Sequence, residues 1–371
     1  MVNTVELLHE YHPSLPKENW WRDNFVCQIN GFWFLPKFVP STFRVLNEFK
    51  PLNNDVILAS FPNTGTTWLK SLLFSIIYRS SKESLVNHNP HDLVPTLEVQ
   101  VFGGTEPSPI EIDNLDSRRL FSTHIPYQLI GKTLDSSHCR VVYITRNPKD
   151  TLVSMWHFTN KWKDVEYGPW PLEEAIEKFC AGIFPGGPYY DHVMGFKTAS
   201  LEKPKNIFFI TYEELLSDPN THVKRLAEFL GCPFNREEEV KEVVKSCSFD
   251  ILSSYEVNKS EEFPSWFQVP YNSFFRQGVV GDNKNYLNAM TIERIDALTR
   301  DKFHGAVSAY LIVYGRNQVC PISWARGSPR EQDRNRSGES PMAKYKLRRS
   351  NCSMNTEAKY DRPRDNTVMV P

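Results

Sequence analysis

Between Asp55 and Leu230 two hydrophobic patterns alternate along the chain. Val56–Ala59, Leu120–His124, Arg140–Thr145 and Asn206–Thr211 are short, mostly apolar runs without a period of two, as expected of strands buried on both faces. Between them, apolar residues recur at helical spacing. Trp68, Leu69, Leu72, Leu73, Ile76 and Ile77 share one face, Leu152, Val153 and Trp156 another, and Val223, Leu226, Ala227 and Leu230 a third. Strand and helix in turn predict an α/β fold with a mostly parallel central sheet and helices on both faces. A last helix is expected over Thr291–Phe303.

Polar punctuation sharpens these boundaries. Asn147, Pro148 and Asp150 make a helix start, as do Asp218 and Pro219, while Gly231 and Pro233 mark a stop. Ser80–Asp116, with four prolines, reads as a long loop containing short helical pieces, and Glu237–Lys245 as a charged, solvated helix. Residues 1–50 carry Trp20, Trp21, Phe32, Trp33 and Phe34, an aromatic arm expected to pack on the core. Phe263, Trp266, Phe267, Tyr271, Phe274 and Phe275 either anchor a loop or form a lid over an apolar acceptor. Residues 306–371 are poor in apolar side chains and basic at the end, so a disordered tail is expected.

Composition then removes several classes of function. The chain has 371 residues, 40% of them hydrophobic, enough for one large domain with a sizeable core. A net charge of −1 gives no reason to expect nucleic acid as partner. Seven cysteines lie scattered without a CxxC pair, which suits a reducing cytoplasm and no metal site. No apolar segment approaches bilayer length, and the N-terminus has acids and prolines where a signal peptide would be apolar, so a soluble, unexported protein without membrane partners is expected.

Chemistry concentrates where the first strand meets its helix, in DVILASFPNTGTTWLK. A strand, tight turn and helix start bring unpaired backbone N–H groups and a positive helix end to one point, which suits an anion. Gly65 allows close approach, and the Thr64, Thr66 and Thr67 hydroxyls can add donors. The segment is not a Walker A sequence, since Lys70 falls three residues late and a second glycine is missing. His124 ends a strand at the sheet edge where α/β proteins bind ligands, as does Arg146.

FPNTGTTWLK closely resembles the 5′-phosphosulfate loop of the soluble, cytosolic sulfotransferases, whose usual form is [YF]PK[ST]GTTW, and GFW before LP resembles the plant members. The fold implied is P-loop-like. The resemblance implies that Asn63, Thr64, Gly65, Thr66 and Thr67 hold the 5′-phosphate and sulfonate of 3′-phosphoadenosine 5′-phosphosulfate (PAPS), and that Trp68 stacks on adenine. THIP resembles the family's THxP and implies that His124 is the general base. YITRNPKDTLVS implies a 3′-phosphate site at Arg146 and Ser154. TYEEL implies that the Tyr212 hydroxyl reaches the adenosine, and Cys247-Ser248-Phe249 that Phe249 stacks opposite Trp68. FFRQGVVGDNKN resembles RKGxxGDWKN and places Phe274, Phe275, Arg276, Gln277 and Gly278 over the 3′-phosphate.

Three departures stand out: Asn63 for the loop lysine, Gln277 for a lysine and Asn283 for a tryptophan. They imply a slowed enzyme, weaker PAPS binding and a loop without its aromatic anchor. The family's dimer motif survives only as Lys284 and Glu293, so a monomer is expected. The expectation is therefore a sulfotransferase domain over 51–305 that moves sulfonate from PAPS, without metal, to a small hydroxylated acceptor such as a flavonoid, steroid or hydroxyjasmonate. His124 would act as base, with Asn63 among the groups offsetting charge. The alternative is a weakened or inactive protein that binds PAPS or its desulfonated product, 3′-phosphoadenosine 5′-phosphate (PAP).

Overall fold

The strands read from the sequence assemble into one parallel sheet whose carboxyl ends converge. The computed structural model describes residues 14–314 apart from 22–23, 82–83, 105–117 and 163–168, with backbone alone for 304–314. Strands are β1 (Lys17–Trp21), β2 (Asn24–Ile29), β3 (Phe32–Phe34), β4 (Val56–Ser60), β5 (Leu120–Thr123), β6 (Arg140–Thr145) and β7 (Ile207–Thr211). Helices of two turns or more are α1 (Val39–Glu48), α2 (Thr66–Ile77), α3 (Tyr127–Leu134), α4 (Pro148–Thr159), α5 (Leu172–Cys180), α6 (Tyr189–Glu202), α7 (Pro219–Phe229), α8 (Glu237–Ser246) and α9 (Ala289–Tyr314).

The main sheet has order β5-β4-β6-β7 with every pairing parallel. Val56 aligns with Leu120 on one side and with Arg140 on the other, so β4 is central and all five of its residues are buried. Its alternate side chains feed two cores. Val56 and Leu58 pack with Leu69, Leu73, Leu226 and Val243, from α2, α7 and α8. Ile57 and Ala59 pack with Val45, Ile130 and Phe196, from α1, α3 and α6. Helices thus cover both faces, which explains the unbroken apolar runs. From β4 the chain steps to β5 on one side and then to β6 on the other, so the strand order switches at β4, a crevice-forming point.

The N-terminal arm is more structured than its aromatic string suggested. β1, β2 and β3 form an antiparallel ribbon, turned by Asn30 and Gly31 at φ +47° and +88°. Trp20 is fully buried, with ring centroids 5.5 Å from both Trp162 and Trp170. The final helix runs to Tyr314, beyond the Phe303 expected, so the start of the presumed disordered tail is helical. Residues 315–371 lie outside the described part, as do residues 105–117 of the long loop. Among the described residues no helix is long and apolar enough to cross a membrane.

Candidate functional site

The loop from Phe61 to Gly65 holds two left-handed residues, Asn63 at φ +63° and Gly65 at φ +111°. A Cβ on Gly65 would stand 2.8 Å from Tyr212 Cδ2 and 3.0 Å from Ile144 Cδ1, so only glycine lets the loop lie against β6. Helix α2 begins at Thr66, and its first amides have no carbonyl within the helix to bind. The three threonines behave differently. Thr64 is fully buried and its hydroxyl donates inward, to Phe61 O at 2.7 Å and Ile144 O at 3.1 Å. That overturns the expectation that its hydroxyl serves an anion, because its proton is already committed. Thr66 Oγ1 meets Ser60 Oγ at 2.8 Å, and Thr67 Oγ1 meets His91 Nε2 at 2.9 Å. The Asn63 amide donates to Met155 Sδ at 3.0 Å and its oxygen accepts from Ser154 at 3.4 Å, which ties the loop to α4.

His124 follows β5 directly, beside the end of β4 from which this loop departs. Its Nδ1 lies 2.8 Å from Ser60 O, and a carbonyl can only accept, so that nitrogen carries the proton. Nε2 is left as the basic nitrogen. The backbone is fixed as well: His124 N donates to Glu98 at 2.7 Å and His124 O accepts from His192 Nε2 at 3.1 Å. Burial depresses the imidazole from 6.5 to about 4, with the Ser60 hydrogen bond opposing and the Lys70 charge adding to the fall. The ring is therefore neutral at neutral pH.

A basic pair flanks the other side. Arg146, at the end of β6, has a buried side chain, lies 4.7 Å over the Tyr212 ring and reaches Asp150 at 3.6 Å. Arg276 pairs with Asp282 at 2.6 Å, and the Gln277 amide also faces that carboxylate. Among the described residues the Nε atoms of Arg146 and Arg276 are each buried without a partner, and both residues line the same cavity, which suits a phosphate there. The loop after Arg276 is anchored through Asp150, near the start of α4. Asp150 accepts from Gly281 N at 2.7 Å, Asn283 N at 2.9 Å and Asn283 Nδ2 at 2.7 Å. Asn283 is buried, so the loop, without an aromatic anchor at this position, has a polar one.

Tyr212 also departs from expectation. Its hydroxyl donates to Gly278 O at 2.8 Å, so the ring, edge-on to Trp68 at 5.3 Å, is what it offers the crevice. Gly278, at φ +66°, lies so close to Phe249 that a Cβ would stand 2.6 Å from that ring. Phe274 packs 4.1 Å from the His91 ring.

These residues surround one cavity of about 760 Å³. Asn63, Gly65, Thr66, Thr67, Trp68, His124, Arg146, Ser154, Tyr212, Phe249, Phe274, Phe275, Arg276, Gln277 and Gly278 all line it; of the residues expected at the site only Thr64 does not. The cavity continues into an aromatic end walled by Trp20, Phe34, Phe38, Phe158, Trp162 and Phe267. The basic lining can hold a phosphorylated anion and the aromatic lining an apolar molecule, in a cavity that a neutral imidazole also lines. Sequence reasoning missed His91, Glu98 and His157 in the lining and treated Lys70 only as a misplaced Walker residue. The one available signal for Lys70 was a lysine within the apolar stripe of α2. Among the described residues no cluster of His, Cys, Asp or Glu could hold a metal ion.

Residues 53–307 match the family model for the sulfotransferase domain. Cytosolic sulfotransferase 15 of Arabidopsis thaliana is 40% identical over 305 residues, 79% of this chain and 84% of the relative. A solved Arabidopsis thaliana sulphotransferase shares 34% identity at a TM-score of 0.63, over 82% of this chain and 97% of its own. A mouse sulfotransferase solved with PAP has the same fold, with a TM-score of 0.60 at 24% identity over 78% of this chain and 99% of its own.

Proposed function

This chain belongs to the plant-type cytosolic sulfotransferase family, and from that premise we propose that it transfers a sulfonate from PAPS to a hydroxyl of a small organic acceptor. The amides at the start of α2 and the Thr66 and Thr67 hydroxyls hold the anionic end of the nucleotide; Arg146, Ser154, Arg276 and Gly278 hold its 3′-phosphate. Trp68 and Phe249 offer ring faces to the purine. PAPS would supply the activated sulfonate. The protein's own chemical contribution is His124, whose Nε2 takes the acceptor hydroxyl's proton.

The observation that carries this reading is the tautomer of His124, fixed by Ser60 O at 2.8 Å with Nε2 left as base at the cavity that Gly65 and Thr67 line. The aromatic lining supports a small hydroxylated acceptor of the flavonoid, steroid or hydroxyjasmonate kind, with the protein working as a monomer without metal or nucleic acid. The test is a radiolabelled sulfonate-transfer screen over these acceptors beside calorimetry with PAP. Transfer that His124→Ala abolishes supports the proposal; a folded protein that ignores both PAPS and PAP ends it.

A second reading, PAP binding without transfer, draws on one feature. Asn63 stands where the family has lysine, and it offers only a neutral donor, already bonded to Met155. Tight PAP binding with no transfer to any acceptor would select it.

A further inference from the structure

We propose that Lys70 is a positioning residue of the nucleotide site: through His91 it turns the Thr67 hydroxyl into a donor facing the cavity, so a buried ammonium behind the loop governs the loop's grip on an anion. This rests on the nucleotide reading given above.

Lys70 sits inside α2 and is wholly buried. Its Nζ meets Val94 O at 2.7 Å, Thr96 Oγ1 at 3.2 Å and His91 Nδ1 at 3.1 Å. An ammonium has three protons and no lone pair, so it donates to all three. His91 Nδ1 is then a bare acceptor, and the neutral ring carries its proton on Nε2. That nitrogen lies 2.9 Å from Thr67 Oγ1 and donates to it. With a lone pair occupied, Thr67 turns its own proton away from His91; among the described residues that hydroxyl has no other partner, and Thr67 and His91 both line the cavity.

The relay has a second setting. If Lys70 becomes an amine, its lone pair can accept from His91 Nδ1, Nε2 becomes the acceptor, and Thr67 donates to it. The lone pairs of Thr67 then face the cavity, where they repel an anion. The imidazole is held in place for either setting: Phe274 lies 4.1 Å from its ring and Asn89 Oδ1 accepts from His91 N at 2.9 Å.

The groups around Lys70 make a change of setting reachable. His91 and Asp92 face it from the short helix Pro90–Leu93, Glu98 from the turn Leu97–Val101, and His124 from the end of β5. Burial brings the Lys70 ammonium down from 10.5 to about 7, against the pull of Glu98 and Asp92. His91 is held well below its usual value by burial and by the Lys70 charge, so the ring stays neutral and passes on the change. Glu98 accepts from His124 N and Thr123 Oγ1, and burial pushes its carboxyl up. As pH rises through neutrality, Lys70 loses its proton and nucleotide affinity falls.

PAP affinity, measured by calorimetry from pH 6.5 to pH 9 on the full chain, tests this. Wild type should weaken roughly 5- to 10-fold across that range, the difference between a charge-backed and a reversed hydrogen bond. Thr67→Val should bind more weakly and retain only the pH dependence of the ligand's own phosphates. Lys70→Met removes the donor that fixes the His91 tautomer, so it should bind more weakly than wild type at pH 6.5 and retain only the pH dependence of the ligand's own phosphates. Equal pH dependence in wild type and Thr67→Val overturns the relay. Nitrogen-15 spectra of His91 decide it without ligand: the proton should sit on Nε2 at pH 6.5 and on Nδ1 at pH 9. A ring protonated on Nδ1 at pH 6.5 overturns the relay even if PAP binds. Absence of PAP binding in every variant defeats the nucleotide reading instead, and the tautomer then decides the relay alone.

Discussion

Asn63 occupies a backbone state, φ +63°, that costs most L-residues roughly 1–2 kcal/mol and that asparagine reaches more easily. Restoring a lysine there trades conformational ease for charge. Asn63→Lys should raise turnover about 5- to 30-fold, if a charge-assisted contact replaces a neutral one in the transition state, and should lower stability by about 1 kcal/mol. Steady-state kinetics beside a urea titration would read both changes; unchanged turnover would mean that the charge missing at Asn63 does not limit the reaction. His124 gives a second separation, because its own ring is assigned to the acceptor's proton and not to the nucleotide. His124→Ala should lower kcat about 10²- to 10⁴-fold while leaving PAP affinity nearly unchanged in calorimetry. A matching loss of PAP affinity would make the imidazole a binding group and not the base.

At the scale of elements, the loop after Arg276 shows how a site depends on a contact far away in sequence. Asp150, in the first turn of α4, accepts three hydrogen bonds from Gly281 and Asn283, which lie 131 and 133 positions later. Asp150→Asn would turn an amide toward donors and leave one of them, the half-buried Gly281 N, unpaired, at a cost of about 1–3 kcal/mol. The expected readout is a PAP affinity about tenfold weaker with the helix content of the protein intact; an unchanged affinity would mean that the loop is held by its other contacts, Arg276 to Asp282 and Tyr212 to Gly278 O. Such contacts mark the limit of what sequence reveals. The four strands of the main sheet and the capped start of α4 were legible, because apolar runs and an Asn-Pro start are local signals. Asn283 read as a loss because its partner on α4 could not be seen. Lys70 was misread for the same reason, since its acceptors sit at residues 91, 94 and 96. The β2–β3 hairpin did have a local signal, the Asn30-Gly31 pair with both residues at positive φ, which was overlooked among the surrounding aromatics.

For the molecule as a whole, the buried histidines set its response to acid. His192 is wholly inside, between Phe61, Tyr143 and Phe196, with Tyr143 Oη 2.9 Å from Nδ1 and Nε2 donating to His124 O. Burial lowers it from 6.5 to about 3, and lowers His124 to about 4. Both groups bind a proton more readily in the unfolded chain, where they titrate near 6.5. The stability that these two rings contribute is therefore complete above that value and is lost as pH falls through it, the loss continuing until the folded-state values are reached. At pH 5 each neutral histidine costs about 2 kcal/mol relative to pH 8, a large share of the 5–15 kcal/mol, in round figures, that a domain commands. Urea midpoints should thus fall steeply between pH 6.5 and pH 5, below the range in which Lys70 changes its charge. His192→Gln keeps a donor for His124 O and removes the titration. It should reduce stability at pH 8 yet make the acid limb shallower by one proton, about 1.4 kcal/mol per pH unit. An acid limb of unchanged slope would assign the acid sensitivity to His124 and His91 instead, whose rings are also held below 6.5 by burial.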